Sequence, residues 1–167
     1  SSVRRKEDPR LITGQGTYVD DVKLIGMKHM ILVRSPYAHA KLVSIDVKAA
    51  YKVPGVTSVF TGKQLEEELG SLPCGWVVPD TKEVPHPPLA VDTVRYVGDA
   101  VVAVIGDTLQ SAKDGAALIV VEYEELPAVL DMHTAIEDGT IRLHEDAPNN
   151  IAFEWEVEGG SIDEARS

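Results

Sequence analysis

The chain has 167 residues, enough for one domain with a hydrophobic core. Its formal net charge is −11, and a surface this acidic repels phosphate backbones, which argues against a nucleic-acid-binding protein. No apolar run approaches the length of a membrane span, and no export signal is visible. The lone Cys74 excludes an internal disulfide and is typical of a reducing compartment, so we expect a cytoplasmic protein.

The first half of the chain reads as strands separated by turns. Residues 1–10 are polar and basic and predict an arm, and Gly14 and Gly16 lie in a turn by composition. Strands are predicted over 27–34, 41–47 and 56–60, and Ser35–Pro36 breaks the first of them. Asp46 is positioned to cap a short helix over 47–52, and a short polar helix is predicted over 62–69.

The second half opens with a long irregular loop, 70–88, which contains five prolines; such loops are usually functional or lie against something. Strands are predicted over 89–97, 100–106 and 119–123. Between the last two, Asp107 and Gln110 predict a capped helix that ends near residue 118, with a buried face made of Leu109, Ala112, Ala116 and Ile119. Residues 130–136 are ambiguous, 137–150 predict a loop, and 151–157 predict a last strand or an extended arm.

The charge is distributed unevenly along the chain. Residues 1–60 carry ten Lys and Arg against five Asp and Glu, whereas residues 122–167 carry two Arg against thirteen Asp and Glu. The acidic end is either a solvated flank or a face that docks on a partner subunit.

The titratable residues do not assemble into an active site by their spacing. None of the five His residues pairs at a spacing that places two metal ligands on one face, and HExxH and CxxC motifs are absent from the sequence. The best local cluster, His144–Glu145–Asp146, has the composition of a solvated loop. Cys74 has no recognisable base, His86 being merely the nearest histidine in sequence, so we expect a partly buried loop cysteine rather than a nucleophile.

Two further patterns also favour structural roles. The Gly14–Gln15–Gly16 segment lacks the Gly-Lys-Ser/Thr of a phosphate-binding loop and is interpreted as a turn that needs a positive φ. The paired acids Asp20–Asp21 and Glu124–Glu125 are adjacent residues, which point to opposite faces of a strand and make no acid–base couple.

Five segments in the same order resemble the amino-terminal α/β-hammerhead domain of molybdenum hydroxylase large subunits, the group of xanthine dehydrogenase, aldehyde oxidase and aerobic carbon monoxide dehydrogenase. They read LITGQGTYVDD (11–21, after Arg5–Asp8), VRSPYAHA (33–40), PGV with VFTG (54–62), VRYVGDAVVAV (94–104) and VEYEELP (121–127). Their spacing is most similar to the carbon monoxide dehydrogenase large chain. The predicted strands with two to three short helices interspersed indicate an α+β or mixed α/β class. The resemblance implies the α/β-hammerhead, an α+β fold with a mixed sheet.

The resemblance also implies a division of labour within an enzyme. The large subunit would bind molybdopterin cytosine dinucleotide and hydroxylate its substrate with oxygen from water, and electrons would pass to [2Fe–2S] clusters and FAD on partner subunits. The glutamate base and the pterin-binding loops of the family lie in later parts of that subunit. No catalytic, cofactor-binding or metal-binding residue is therefore carried over onto this chain, and the chain by itself is expected to be inactive.

What the resemblance carries over is architecture. It divides the chain into an arm (1–22), the hammerhead domain (23–150) and a linker (151–167) towards the molybdopterin-binding region. The residues that match the family motifs have either a folding role or a role in contacts between domains, with Gly98 and Asp99 as turn residues and Pro36 as a strand stop. These residues are Arg34, Ser35, Pro36, His39, Tyr96, Gly98 and Asp99.

Three hypotheses follow for the function. The first is the opening domain of a molybdenum-dependent oxidoreductase, which would pack against the molybdopterin-binding domains and the iron–sulfur and FAD subunits. The polar residues 161–167, which contain no natural terminator, favour it. The second is a stand-alone hammerhead scaffold or binding module without catalysis. The third is a small hydrolase that uses Cys74.

Overall fold

The computed structural model describes residues 3, 5–156 and 159–160. Its strands are β1 (His29–Arg34), β2 (Ala40–Asp46), β3 (Val56–Thr61), β4 (Thr93–Val94), β5 (Ala100–Gly106) and β6 (Val120–Glu125). Its α-helices are α1 (Asp8–Ile12), α2 (Gly62–Leu65), α3 (Leu109–Ala117) and α4 (Met132–Ala135), and 3-10 helices cover Val19–Asp21 and Ala50–Lys52. Within the described residues, no helix is long and apolar enough to cross a membrane.

The strands form two three-stranded antiparallel sheets, ordered β1-β5-β3 and β4-β2-β6. The predicted α+β class is confirmed, although two antiparallel sheets stand where one mixed sheet was expected. A strand–helix–strand unit such as β5-α3-β6 often places its two strands in parallel within one sheet. Here β6 pairs with β2 instead, from Ala40 opposite Glu125 to Asp46 opposite Val120, so α3 connects the two sheets.

Strand β5 lies at the centre of the first sheet, and its side chains Val101, Val102 and Val104 are fully buried. Its sequence AVVAVIG lacks the alternation of a half-exposed strand because both faces are covered. The main core joins these valines to Val59 of β3 and Val94 of β4 and therefore spans both sheets. Each fully buried valine stabilises the fold by roughly 2 kcal/mol.

Helix α3 packs against β1 and β5 through small residues. Ala112 and Gly115 are buried, and a Cβ atom at Gly115 would lie 2.8 Å from Val56 Cγ2 and 3.0 Å from Val104 Cγ1. Glycine is therefore required for this close approach. The prediction that Leu109 belongs to the buried face is wrong, since its side chain is 44% exposed at the first residue of the helix.

The predicted cap of α3 is also wrong by one residue. Thr108 is the N-cap, and its Oγ1 accepts a hydrogen bond from Ser111 N at 3.0 Å, while Ser111 Oγ accepts one from Thr108 N at 3.1 Å. The predicted cap, Asp107, instead forms an ion pair with Lys28, the residue directly before β1. A hydroxyl pair thus replaces the expected pairing of Asp107 with Gln110.

The predicted strand over 89–97 is reduced to the two residues of β4. The segment crosses from one sheet to the other, because Ala90 N donates to Ala100 O in β5 whereas Asp92 O accepts from Leu42 N in β2. Residues 151–156 form an extended arm without strand pairing, and Val157 lies outside the described residues.

Four short α-helices are present in the described residues where two to three were expected. Helices α1 and α4 span only about one turn, too short for an apolar periodicity to show. The helix predicted over 62–69 is reduced to Gly62–Leu65, and the one predicted over 47–52 is a 3-10 helix. Asp46 does act as a local acceptor, since its Oδ1 accepts a hydrogen bond from Lys48 N at 2.9 Å.

Candidate functional site

Two of the motif segments meet at one place in the fold, the motif junction, which consists of residues 34–39 and 95–99. Ser35 N donates to Asp99 O at 2.8 Å, and Gly98 N donates to Ser35 O at 2.8 Å. The Arg34 guanidinium adds a third hydrogen bond, from Nη1 to Gly98 O at 2.8 Å. The end of β1 and the turn before β5 are therefore joined side by side.

The turn before β5 owes its shape to two residues. Gly98 has a φ of +93°, a conformation that L side chains rarely adopt, and Asp99 N donates to Tyr96 O at 3.1 Å to close the turn. The carboxylate Oδ2 of Asp99 accepts a hydrogen bond from Arg95 N at 3.1 Å. Both residues thus occupy the turn positions expected from their types.

Ser35 ends strand β1 with a local hydrogen-bonded turn. Its Oγ, in a side chain that is buried, accepts from Tyr37 N at 3.0 Å and also lies 3.0 Å from Tyr37 O. The ring of Tyr37 packs against that of Tyr123 in β6, with centroids 5.1 Å apart. Burial raises the pKa of the Tyr123 phenol above its ordinary value, and the nearby Tyr37 and Asp99 add to the effect while the Ser35 hydroxyl opposes it.

His39 connects the second motif segment to the last one. Its side chain is buried, and its Nδ1 lies 2.8 Å from Pro127 O. Its backbone oxygen accepts a hydrogen bond from Leu126 N at 2.9 Å. Because a carbonyl oxygen only accepts, Nδ1 carries the hydrogen, and the ring serves as a buried structural link.

Arg95 extends the junction to the loop 137–150. Its Nε donates to Leu143 O at 2.9 Å, and its Nη1 lies 3.4 Å from Thr93 O. Burial lowers the pKa of the adjacent His144, and the positive charge of Arg95 and the neighbouring His86 lower it further, whereas Asp146 opposes them.

A second phenol stands at the surface of the junction. Burial and the Asp99 carboxylate raise the pKa of Tyr96, and Arg34 opposes them. The ring of Tyr96 lies 6.4 Å from that of His86, and Tyr96 and Val97 remain 47% and 65% exposed. The motif residues therefore divide into a buried group that holds the fold, with Ser35 and His39, and an exposed group that another surface can contact.

The other candidates from the sequence do not join this junction. The expectation that Cys74 is partly buried is wrong: its side chain is exposed, and its Sγ donates to Trp76 O at 3.0 Å. Within the described ranges, no group of three His, Cys, Asp or Glu side chains is arranged to hold a metal. The segment His144–Glu145–Asp146 therefore forms no metal site. Gly14 has the expected positive φ, +72°, in a turn at the surface.

Sequence reasoning missed two contacts that organise the long loops. Asn150 has a φ of +55°, and its Oδ1 accepts from Leu143 N at 2.9 Å, which orders the segment that Arg95 contacts. Trp76 packs on Trp155 with ring centroids 4.8 Å apart. For the Asn150 contact, the only signal in the sequence was an Asn before an irregular segment. For the tryptophan contact there was none, because nothing in a single sequence pairs residues so far apart.

The arrangement of strands and motif segments agrees with a known family. Residues 13–127 match the family described as aldehyde oxidase and xanthine dehydrogenase, a/b hammerhead domain. The chain belongs to this family. The matched range contains every strand of both sheets and the motif junction, so the hammerhead fold implied by the resemblance is confirmed.

Curated relatives of this hammerhead domain are oxidoreductases several times longer. The nicotine 6-hydroxylase large subunit of Paenarthrobacter nicotinovorans is 37% identical over 99% of this chain and 20% of the relative. The carbon monoxide dehydrogenase large chain of Hydrogenophaga pseudoflava is 39% identical over 84% of this chain and 17% of the relative. The chain thus spans about a fifth of the length of these relatives.

Solved structures agree with this assignment. Quinoline 2-oxidoreductase from Pseudomonas putida 86 superposes with a TM-score of 0.83 and 40% identity, over 92% of this chain and 19% of that chain. A Cu,Mo-CO dehydrogenase superposes with a TM-score of 0.76 and 35% identity, over 90% of this chain and 18% of that chain. The name of the second structure states that the enzyme contains molybdenum.

Proposed function

We propose that this chain is the hammerhead domain of the large subunit of a molybdenum-dependent hydroxylase. The observation that carries the proposal is the family match over residues 13–127, in a chain that spans about a fifth of relatives named as hydroxylases and dehydrogenases. The enzyme would hydroxylate its substrate with oxygen from water. The names of the relatives include four different compounds, nicotine, carbon monoxide, xanthine and quinoline. The proposal therefore names the reaction class and no single substrate.

We propose that the metal cofactor of such an enzyme is held outside this chain. The described ranges contain no group of three metal-ligating side chains, and Cys74 is exposed with its thiol directed to Trp76 O. By the resemblance to the family, we assign molybdopterin cytosine dinucleotide to the remainder of the large subunit and [2Fe–2S] clusters and FAD to partner subunits. The role of this domain is structural: the motif junction fixes one exposed surface, with Tyr96 and Val97, for contact with those parts.

The division of the chain is part of the same proposal. Residues 1–22 form an arm, residues 23–150 the hammerhead domain and residues 151–167 a linker towards the molybdopterin-binding region. The exposed apolar side chains of the arm, Ile12, Tyr18 and Val19, support a contact with another part of the enzyme. The enzyme is proposed to be cytoplasmic, in agreement with the single cysteine.

The proposal is tested on native protein captured from its source cells with an antibody against this domain. We expect molybdenum, iron and flavin in a large assembly, measured by elemental analysis, absorbance and native mass spectrometry. A metal-free species with about the 18.1 kDa mass of this chain would support the alternative, a stand-alone hammerhead scaffold without catalysis.

A further inference from the structure

Exposed aromatic side chains cluster where the long loop meets the extended arm at the C-terminal end. The indole rings of Trp76 and Trp155, the two tryptophans of the chain, are in T-shaped contact with centroids 4.8 Å apart. Lys82 N donates to Ala152 O at 2.8 Å and joins the loop and the arm a second time. These two contacts make one continuous surface out of two segments that are far apart in sequence.

We define the tryptophan face as this indole pair, Trp76 and Trp155, together with the exposed apolar side chains next to them in sequence, Val77 and Phe153. Their side chains are 63%, 58%, 69% and 53% exposed, although tryptophan is usually largely buried. A contiguous apolar patch on the outside of a domain marks an interaction site, and tryptophan is enriched among the residues that contribute most to binding between proteins. The tryptophan face therefore has the composition of an interface.

The charges around the tryptophan face define the partner it fits. Glu154 and Glu156 flank Trp155 in the arm, and Asp80 and Glu83 lie in the loop, all of them exposed. Against these four carboxylates, Lys82 is the single Lys or Arg of residues 70–88 and 151–156. The complementary surface is positively charged, and arginine is the cation that also stacks on aromatic rings.

We propose that the tryptophan face docks on an arginine-bearing surface of the part of the large subunit that follows this domain. The inference rests on the proposed function, in which the chain is one domain of a subunit of which it covers about 20%, as in the nicotine 6-hydroxylase. In that proposal, residues 151–167 are the linker towards the following part, and this linker carries Trp155. A tethered partner starts beside the tryptophan face, and its effective concentration there is high.

The contact is tested by photo-crosslinking in the full-length large subunit within its native assembly. In one variant the photoreactive amino acid p-benzoylphenylalanine replaces Trp76. In a second variant it replaces Phe153, a substitution that conserves the aromatic ring. Illumination is expected to link both positions to peptides of the same subunit beyond residue 167 that contain arginine. The matched control is the same replacement at Val43, which is 60% exposed on β2 and is expected to give no such link.

Two results separate the failure of this inference from the failure of the proposed function. Molybdenum present in the preparation, with no cross-link from either position or with links to a partner subunit or a second copy, overturns the docking surface alone. A preparation that contains neither molybdenum nor a polypeptide longer than this chain overturns the proposed function, and the docking surface with it.

The basic chemistry of the partner has a separate test. The double variant Glu154→Lys, Glu156→Lys is expected to reduce the cross-link yield from position 153 at least threefold, because it reverses the charge beside the face. The control is Glu66→Lys, Glu67→Lys, another exposed pair of carboxylates outside the face, which is expected to leave the yield unchanged. An equal yield in both double variants would contradict an arginine-bearing partner.

Discussion

The Nδ1 atom of His39 lies 2.8 Å from the carbonyl oxygen of Pro127, across 88 residues of sequence. The imidazole enters the junction directly before β2, and the proline follows β6, the strand that pairs with β2. This hydrogen bond links the segment that follows β6 to the segment that precedes β2, in the sheet β4-β2-β6. His39, one of the five histidines considered as metal ligands, therefore contributes to the fold.

Replacing His39 by alanine is expected to reduce the free energy of unfolding by about 2 kcal/mol, since it leaves the Pro127 carbonyl without its partner and opens a cavity. Chemical denaturation followed by circular dichroism measures the change. The control is His133→Ala, at an exposed side chain, with an expected change below about 0.5 kcal/mol. Equal effects of the two substitutions would contradict the structural role of His39.

The start of α3 gives a second prediction, because the sequence and the structure assign its cap to different residues. Thr108→Ala removes the hydroxyl that accepts from Ser111 N and is expected to destabilise the protein by about 1 kcal/mol. Gln110→Ala removes only an exposed side-chain hydrogen bond to Asp114 and is expected to cost a few tenths of a kcal/mol. Thermal unfolding of both variants decides between the caps, and a larger effect at Gln110 would restore the assignment made from sequence.

These differences show which features one sequence can specify. Strand β5 was predicted with its observed bounds, 100–106, because an unbroken apolar run between turn residues is a local signal. Strand β4 was overestimated because its length depends on partners in two different sheets. Gly98 and Asp99 were assigned to a turn from residue type, whereas the bond from Arg95 to Leu143 joins residues 48 apart and has no local pattern.

Gly115 gives a third prediction, in which two effects oppose each other. Alanine has a higher helix propensity than glycine by about 1 kcal/mol, but its Cβ would lie within 3.0 Å of Val56 and Val104. Overpacking costs about 1–3 kcal/mol, so Gly115→Ala is expected to destabilise the protein by about 1 kcal/mol net.

The double variant Gly115→Ala, Val56→Ala isolates this clash, because it removes the Cγ2 atom that lies 2.8 Å from the added Cβ. The two substitutions are expected to be less destabilising together than the sum of their separate effects, as measured by denaturant unfolding. Lys113→Ala, at an exposed position of α3, is the matched control. Additive effects at Gly115 and Val56 would show that the helix moves away and that the close approach is not required.

The lowered pKa of His144 predicts a pH dependence of stability on the acidic side. Burial, Arg95 and His86 disfavour the imidazolium in the folded protein, so the unfolded chain binds the proton more readily, at the ordinary pKa of 6.5. The contribution of the neutral His144 ring to the free energy of unfolding is fully present above pH 6.5. It is lost as the pH falls through the lower pKa of the folded protein. His144→Gln is expected to reduce the decline in unfolding free energy between pH 7 and pH 5, whereas the exposed His133→Gln leaves it unchanged. Denaturant unfolding at a series of pH values measures both slopes, and an unaltered slope in His144→Gln would show that other groups cause the decline.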